Sequence, residues 1–329
     1  MNKNLGYAIA FAIALAAPLA GYPPFLAKLL CFALFACAFN LLIGFTGLLS
    51  FGHAAFFGAA GYVAGNALKV WGWPTELGLL AGAGAAALIG LVMGALAIRR
   101  QGIYFSMITL ALAQLVFFGA LRAGELTGGE DGLQGIPRGR LLGMFDLAND
   151  TTLYYFVLAV CVAGFALIVR TVHSPFGQVL KAIKENEPRA VSLGYDVARY
   201  KLLAFVLSSA LAGLAGATNA LVQGFETLTD VHWSMSGLVI LMTLVGGMGT
   251  QAGPILGAML IIALENKLGD VGAVLAGHTG IDWFNSLGEA VGMVTGLIFV
   301  ACVLLSRRGI VGELAARWGA RPSPSSSHH

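Results

Sequence analysis

Charge is what this 329-residue chain lacks most: only 11% of its residues are Asp, Glu, Lys or Arg, while 58% are hydrophobic. Soluble domains are about a quarter charged, so a water-exposed globule is excluded, and a mean hydropathy of +0.82 points to a polytopic membrane protein. The net charge of +3 is small and dispersed, which excludes a nucleic-acid footprint. The chain has no Gly-Lys dipeptide. A phosphate-binding P-loop needs Gly-Lys before Ser or Thr, so that backbone amides and the lysine hold the phosphates; a nucleotide-driven process would need its motor in another subunit. The four cysteines, Cys31, Cys37, Cys161 and Cys302, all lie inside apolar runs and read as small buried side chains, not as disulfides or metal ligands. No carboxylate pair, metal-ligand cluster or activated nucleophile suggests an enzyme.

What is present is apolar length and glycine, with 45 Gly in all. In lipid, glycine lets helices approach closely. A helix needs about 20 apolar residues to cross, and Leu5–Tyr22, Leu26–Gly44, Leu77–Ile98, Ile103–Leu121, Thr152–Val169, Leu202–Val222 and Leu287–Leu305 qualify. Leu48–Leu68, Ser236–Val245 and Pro254–Asn266 are shorter or glycine-rich and read as broken or re-entrant helices. The fold expected is all-α, with 8–10 transmembrane helices in a permease domain over residues 1–312 and a polar, disordered tail over 313–329. The N-terminal run has signal-peptide features but leads directly into another span, so it reads as a retained first helix. With ten crossings and both termini inside, thirteen of the 19 basic residues fall on the cytoplasmic side, as the positive-inside rule requires. The longest outer segment is then 122–151, and the longest inner one is 174–201.

That inner segment, "SPFGQVLKAIKENEPRAVSLGYDVARYK", is the one long charged stretch. Ser174 suits an N-cap and Pro175 the first helical position. Phe176, Val179, Leu180 and Ile183 follow at i, i+3, i+4 and i+7 and make one apolar face. Pro188 interrupts the helix, Gly194 closes a turn, and Asp196 caps the next span. Either the helix rests on membrane lipid or its apolar face enters a groove on a soluble partner; Glu185 and Glu187 disfavour pure contact with anionic headgroups.

Ser174–Ala217 resembles the coupling loop and following helix of branched-chain amino-acid ABC importer permeases of the LivM type. "GLLSFGHAAFFGAAGY" (Gly47–Tyr62), "RRQGIYFSMITLALAQ" (Arg99–Gln114), "TGGEDGLQGIP" (Thr127–Pro137) and "GGMGTQAGPILGA" (Gly246–Ala258) resemble the same family, in the same order. The resemblance implies a transmembrane subunit in a bacterial inner membrane. Its expected partners are a sister permease (LivH-like), two ATP-binding subunits (LivG- and LivF-like) and a periplasmic substrate-binding protein. ATP and Mg would be bound by the ATP-binding subunits, with no cofactor in this chain. Phe176, Val179, Leu180, Ile183, Lys184, Glu187 and Gly194 then become the ATPase-coupling residues, with Phe176, Leu180 and Ile183 packing against the ATPase. The run "ENEPRAVSLG" departs from the general importer signature, since Pro188 and Arg189 replace its alanines. The substrates expected are branched-chain or other apolar amino acids. Permeases of this type serving urea, amides or aromatic and organic acids, and an ion-coupled secondary transporter, are the alternatives. The latter would normally show midplane carboxylates or histidines, and His53 alone offers one.

Three further corners are candidates for a gate or pathway. Thr46, Ser50 and His53 lie in a glycine-flanked run that either breaks to expose backbone or hydrogen-bonds to neighbouring helices. Thr127, Gly128 and Gly129 offer backbone amides in the outer loop. Gly246, Gly247 and Gly249 form either a tight turn or a hinge.

Overall fold

The computed structural model describes residues 11–19, 21–141, 143, 145–279, 292–294, 296–298, 300 and 309–311, with the side chains of 269–279 excepted. The start of the expected first span, most of the last, and the 313–329 tail lie outside the described residues. Five described helices are long and apolar enough to cross a membrane: α1 (Pro23–Thr46), α3 (Thr75–Ala97), α4 (Ile103–Arg122), α5 (Asp150–His173) and α8 (Val197–Gln223). Between them lie α2 (His53–Lys69), the short pair α6 (Pro175–Glu185) and α7 (Glu187–Ser192), α9 (Trp233–Gly246) and α10 (Gly253–Thr279). The protein is an all-α polytopic membrane protein.

The short spans took two forms. α2 has 17 residues and α9 has 14, below the ~20 needed for a full crossing. The third, expected over Pro254–Asn266, continues to Thr279 as a 27-residue helix.

α1 is the central post, with 89% of its most apolar window buried. α8, α5 and α10 pack against it, and α2 and α3 pack on α8 in turn, while α4 (17% of its window buried) lies at the edge and presents apolar side chains outward. In lipid, apolar area does not drive helix association, so small residues must allow close van der Waals contact. The α2–α3–α8 seam is built this way. A Cβ on Gly216 would overlap the Phe57 backbone, one on Gly213 would overlap Ala86, and one on Gly90 would overlap Ser209.

The α6–α7 pair closes one end of the bundle, called proximal here; the 122–151 segment closes the opposite, distal end. Two two-stranded antiparallel ladders stand there. β1 (Leu133–Gln134) pairs with β4 (Phe225–Glu226) in the register Leu133↔Glu226, and β2 (Arg140–Leu141) pairs with β3 (Phe145–Asp146). Arg138 ties the segment down, donating to the Asp150 carboxylate (2.7 Å) and the Val222 carbonyl (2.6 Å). Lys69 Nζ donates to the Gln134 carbonyl at 2.7 Å.

Candidate functional site: the proximal coupling segment and three polar corners

The local chemistry of the proximal segment follows its sequence. The Ser174 hydroxyl accepts from the Gly177 amide at 3.4 Å, with Pro175 at the first helical position. The break falls at Asn186, extended at φ −156°, whose side chain caps α7 by accepting from Arg189 N at 3.0 Å. Pro188 therefore opens the second helix instead of ending the first. Gly194 is left-handed (φ +87°), and Asp196 caps α8 through Arg199 N at 3.2 Å.

The apolar face of α6, expected to dock on an ATPase, turns inward within this chain. Leu180 and Ile183 are 1% and 3% exposed, Ile183 packing with Val179, Ala190 and Val197 of the same chain. Phe176 stacks on Tyr200, rings 5.6 Å apart and 21° from parallel. The chain folds back under α6, so that Ala190 of α7 and Val197 and Tyr200 of α8 supply apolar surface to the stripe. A different set of apolar side chains is left outside, namely Val191 (58% exposed), Leu193 (68%) and Tyr195 (40%).

Polar ties join this segment to the bundle. Lys184 Nζ donates to the Gly44 carbonyl at 2.7 Å, at the C-terminal end of α1, where a cation is favoured. Glu187 bridges two elements, accepting from Gln101 Nε2 (2.9 Å) in the α3–α4 corner and pairing with Lys201 Nζ (2.7 Å) on α8. Lys184 and Glu187 thus fasten the segment internally.

The first of the other corners is a broken helix with its backbone re-satisfied. Between α1 and α2, Ser106 on α4 donates to the Leu49 carbonyl (2.7 Å), Thr109 accepts from Phe51 N (3.1 Å), and Ser236 on α9 accepts from Ala54 N (2.9 Å). Thr46 and Ser50 are buried and hydrogen-bonded locally. His53, also buried, has its ring Nε2 2.8 Å from Ser208 Oγ, which in turn donates to the Ala38 carbonyl at 2.6 Å. Phe39, Phe56 and Phe205 surround the imidazole edge-on. Thr46 and Ser50 thus bond within their own turns, while His53 joins α2 to α8.

At the distal corner Thr127 is buried, its hydroxyl donating to the Ala120 and Ala123 carbonyls and accepting from Gly129 N. Gly128 and Gly129 are left-handed, so the run is a compact knot. The third corner is the α9–α10 turn. A Cβ on Gly246 would overlap Gly253, and one on Gly257 would overlap the Met242 carbonyl. Gly247 and Gly249 have positive φ, and Asn40 of α1 grips the turn, accepting from Gly249 N and donating to the Thr250 carbonyl, both at 2.9 Å. This is close helix packing around a tight turn.

The charged residues that sequence reasoning passed over are Glu226 and Asp230, in the crossing after α8. Asp230 caps its own turn, accepting from Thr227 N and Oγ1; the Thr-x-x-Asp spacing carries that signal. Glu226 is fully buried, its carboxylate lying against Gly61 of α2. Among the described residues no metal-binding group of three or more His, Cys, Asp or Glu occurs.

Taken together, stacked apolar helices closed by small residues, a pinned amphipathic segment at one end and a knotted loop at the other define a permease-type membrane subunit. The chain belongs to the family described as the branched-chain amino acid transport system / permease component, which matches residues 24–305. It is 30% identical over 258 residues to the high-affinity branched-chain amino acid transport system permease protein LivM of Escherichia coli (strain K12), covering 70% of this chain and 60% of that protein. It therefore spans about 60% of the length of that relative. It is 25% identical over 279 residues to the probable branched-chain amino acid transport permease protein LivH of Methanocaldococcus jannaschii, covering 81% of this chain and 84% of that one. A solved structure, PsaBC from Streptococcus pneumoniae in complex with Fab, aligns over 93% of this chain and 99% of its own at 16% identity, with a TM-score of 0.39.

Proposed function

We propose that this chain is the transmembrane permease subunit of an ATP-binding-cassette importer in a bacterial inner membrane. In this reading the proximal end and both termini are cytoplasmic, and the distal end faces the periplasm. The observation that carries the proposal is the proximal segment: an amphipathic helix pair pinned through Lys184 to α1, through Gln101 to the α3–α4 corner and through Lys201 to α8. A push on α6–α7 is delivered to the central post of the bundle through ties too short to absorb it.

The push would come from partner ATP-binding subunits, which hold ATP and Mg, because this chain has no P-loop lysine. Their contact is the exposed ledge of Val191, Leu193 and Tyr195, an apolar patch rimmed by Arg189 and Arg199, the composition of an interface core. The ion-coupled alternative finds no support in His53, which is packed among phenylalanines and bonded to a serine. The names of the LivM and LivH relatives support branched-chain amino acids as substrates, delivered by a periplasmic binding protein, with a sister permease completing the pathway.

The test is co-purification. Val191→Asp/Leu193→Asp is expected to lose the ATP-binding subunits while the permease remains folded and monodisperse. Retention of the complex with full substrate-stimulated ATPase activity would refute the ledge. Uptake by the chain alone, driven by an ion gradient, would refute the importer reading as a whole.

A further inference from the structure

The crossing from α8 to α9 lies across a notch on α2. Gly58, Gly61 and Gly65 recur at i, i+3 and i+7, so they share one helix face. A Cβ on Gly58 would overlap Val231, one on Gly61 would overlap the Glu226 carboxylate, and one on Gly65 would meet Leu133 and Ile136. The notch thus receives both the 225–231 crossing and the β1 end of the distal segment.

At its centre Glu226 is 0% exposed, and neither carboxylate oxygen has a hydrogen-bond partner among the described residues. An ionised carboxylate in such a place needs a counter-ion or several donors, at a cost of several kcal/mol without them. Among the described residues no cation pairs with it and no donor bonds it. From α2 comes Tyr62, whose hydroxyl is itself buried without a partner. The 228–231 turn contributes Asp230, whose negative charge opposes a second one at Glu226. The β1 strand contributes Leu133 and Gln134, and α8, which also packs against β4, carries no charged residue after Lys201. The Lys28 ammonium of α1 acts on Asp230 and on Glu265.

We propose that Glu226 is a proton-binding site: it carries a proton while the distal segment and the 225–231 crossing lie closed on α2, and releases it to water when this end opens. Burial first, and the Asp230 charge second, push its carboxyl well above the usual carboxylate range in the closed state. The sign follows by linkage. The closed state binds the proton more tightly, so acid favours closing. That advantage is lost as pH rises from the ordinary carboxylate value through the closed-state value. One exchanged proton changes the closed-to-open ratio by up to about tenfold per pH unit within that window.

The inference concerns the chain's own conformations, and its primary test needs no transport assay. Infrared spectra of the full chain in nanodiscs at neutral pH are expected to show a protonated-carboxyl band that Glu226→Gln deletes. Glutamine is isosteric and neutral; should it not assemble, Glu226→Asp is expected to displace the band. Spin labels at Asp131→Cys and Trp71→Cys, both exposed at the distal end, should report opening that rises with pH in the parent and is pH-independent with Glu226→Gln. Absence of the band at neutral pH, its persistence in the glutamine variant, or an unaltered pH dependence there would overturn the proposal. A band that appears only when sodium and potassium are replaced by choline would also overturn it, showing a bound cation in the proton's place.

Discussion

Ser208 fixes the chemistry of its neighbour. Its own proton goes to the Ala38 carbonyl, so it can only accept from His53, and the imidazole must carry its hydrogen on Nε2. Nδ1 is then an acceptor facing phenylalanine edges. Ser208→Ala is expected to orphan that N–H and lower stability by about 1–3 kcal/mol, seen as a reduced Tm of the purified chain. Adding His53→Phe should recover part of the loss, because removing both polar partners is far less costly than removing one. At the proximal end, Lys201 is almost enclosed and paired with Glu187. Lys201→Met alone leaves Glu187 its Gln101 donor but no cation, and is expected to cost up to about 3 kcal/mol. Lys201→Met/Glu187→Gln should cost less, and a double-mutant cycle on thermal unfolding measures the difference.

Among the elements, the glycines divide into those that permit contact and those that merely occupy a helix. Gly216→Ala is expected to abolish correct folding, since its Cβ would overlap the Phe57 backbone, which cannot rotate away. Gly84→Ala and Gly119→Ala meet open space, and should stabilise by about 0.5–1 kcal/mol through helix propensity. Yield and monodispersity on size exclusion separate the two groups. The same elements show what a single sequence discloses. The caps Ser174 and Asp196 were legible because capping is local: side chain and amide are three residues apart. The stripe Phe176–Val179–Leu180–Ile183 was equally legible as a buried face. A periodic pattern says that a face is covered and not by what; here α7 and the first turn of α8 lie against it. Glu226 was illegible for a different reason. Its burial is set by glycines on α2 about 165 residues earlier in the chain, and no local spacing records that.

For the whole molecule, the two ends differ in kind: a charged, internally tied helix pair at one, and a knotted loop with short ladders at the other. Single cysteines at Leu193 and Asp131 are therefore expected to react with a membrane-impermeant maleimide from opposite faces, Leu193 only after the cytoplasmic side is opened. Labelling of both in intact spheroplasts would reverse or collapse the orientation.

The notched helix α2 also bears on how the chain is made. It is short, rich in alanine and glycine, and not among the helices apolar enough to cross on their own. α3 follows at once and covers one side, but the rest of what shields it includes the crossing and helix α8, translated about 150 residues later. At about 5–20 residues per second, α2 waits about 8–30 s for α8. During that interval it needs shelter from the insertion machinery or from α1, and a ribosome stalled before α8 should leave α2 open to protease.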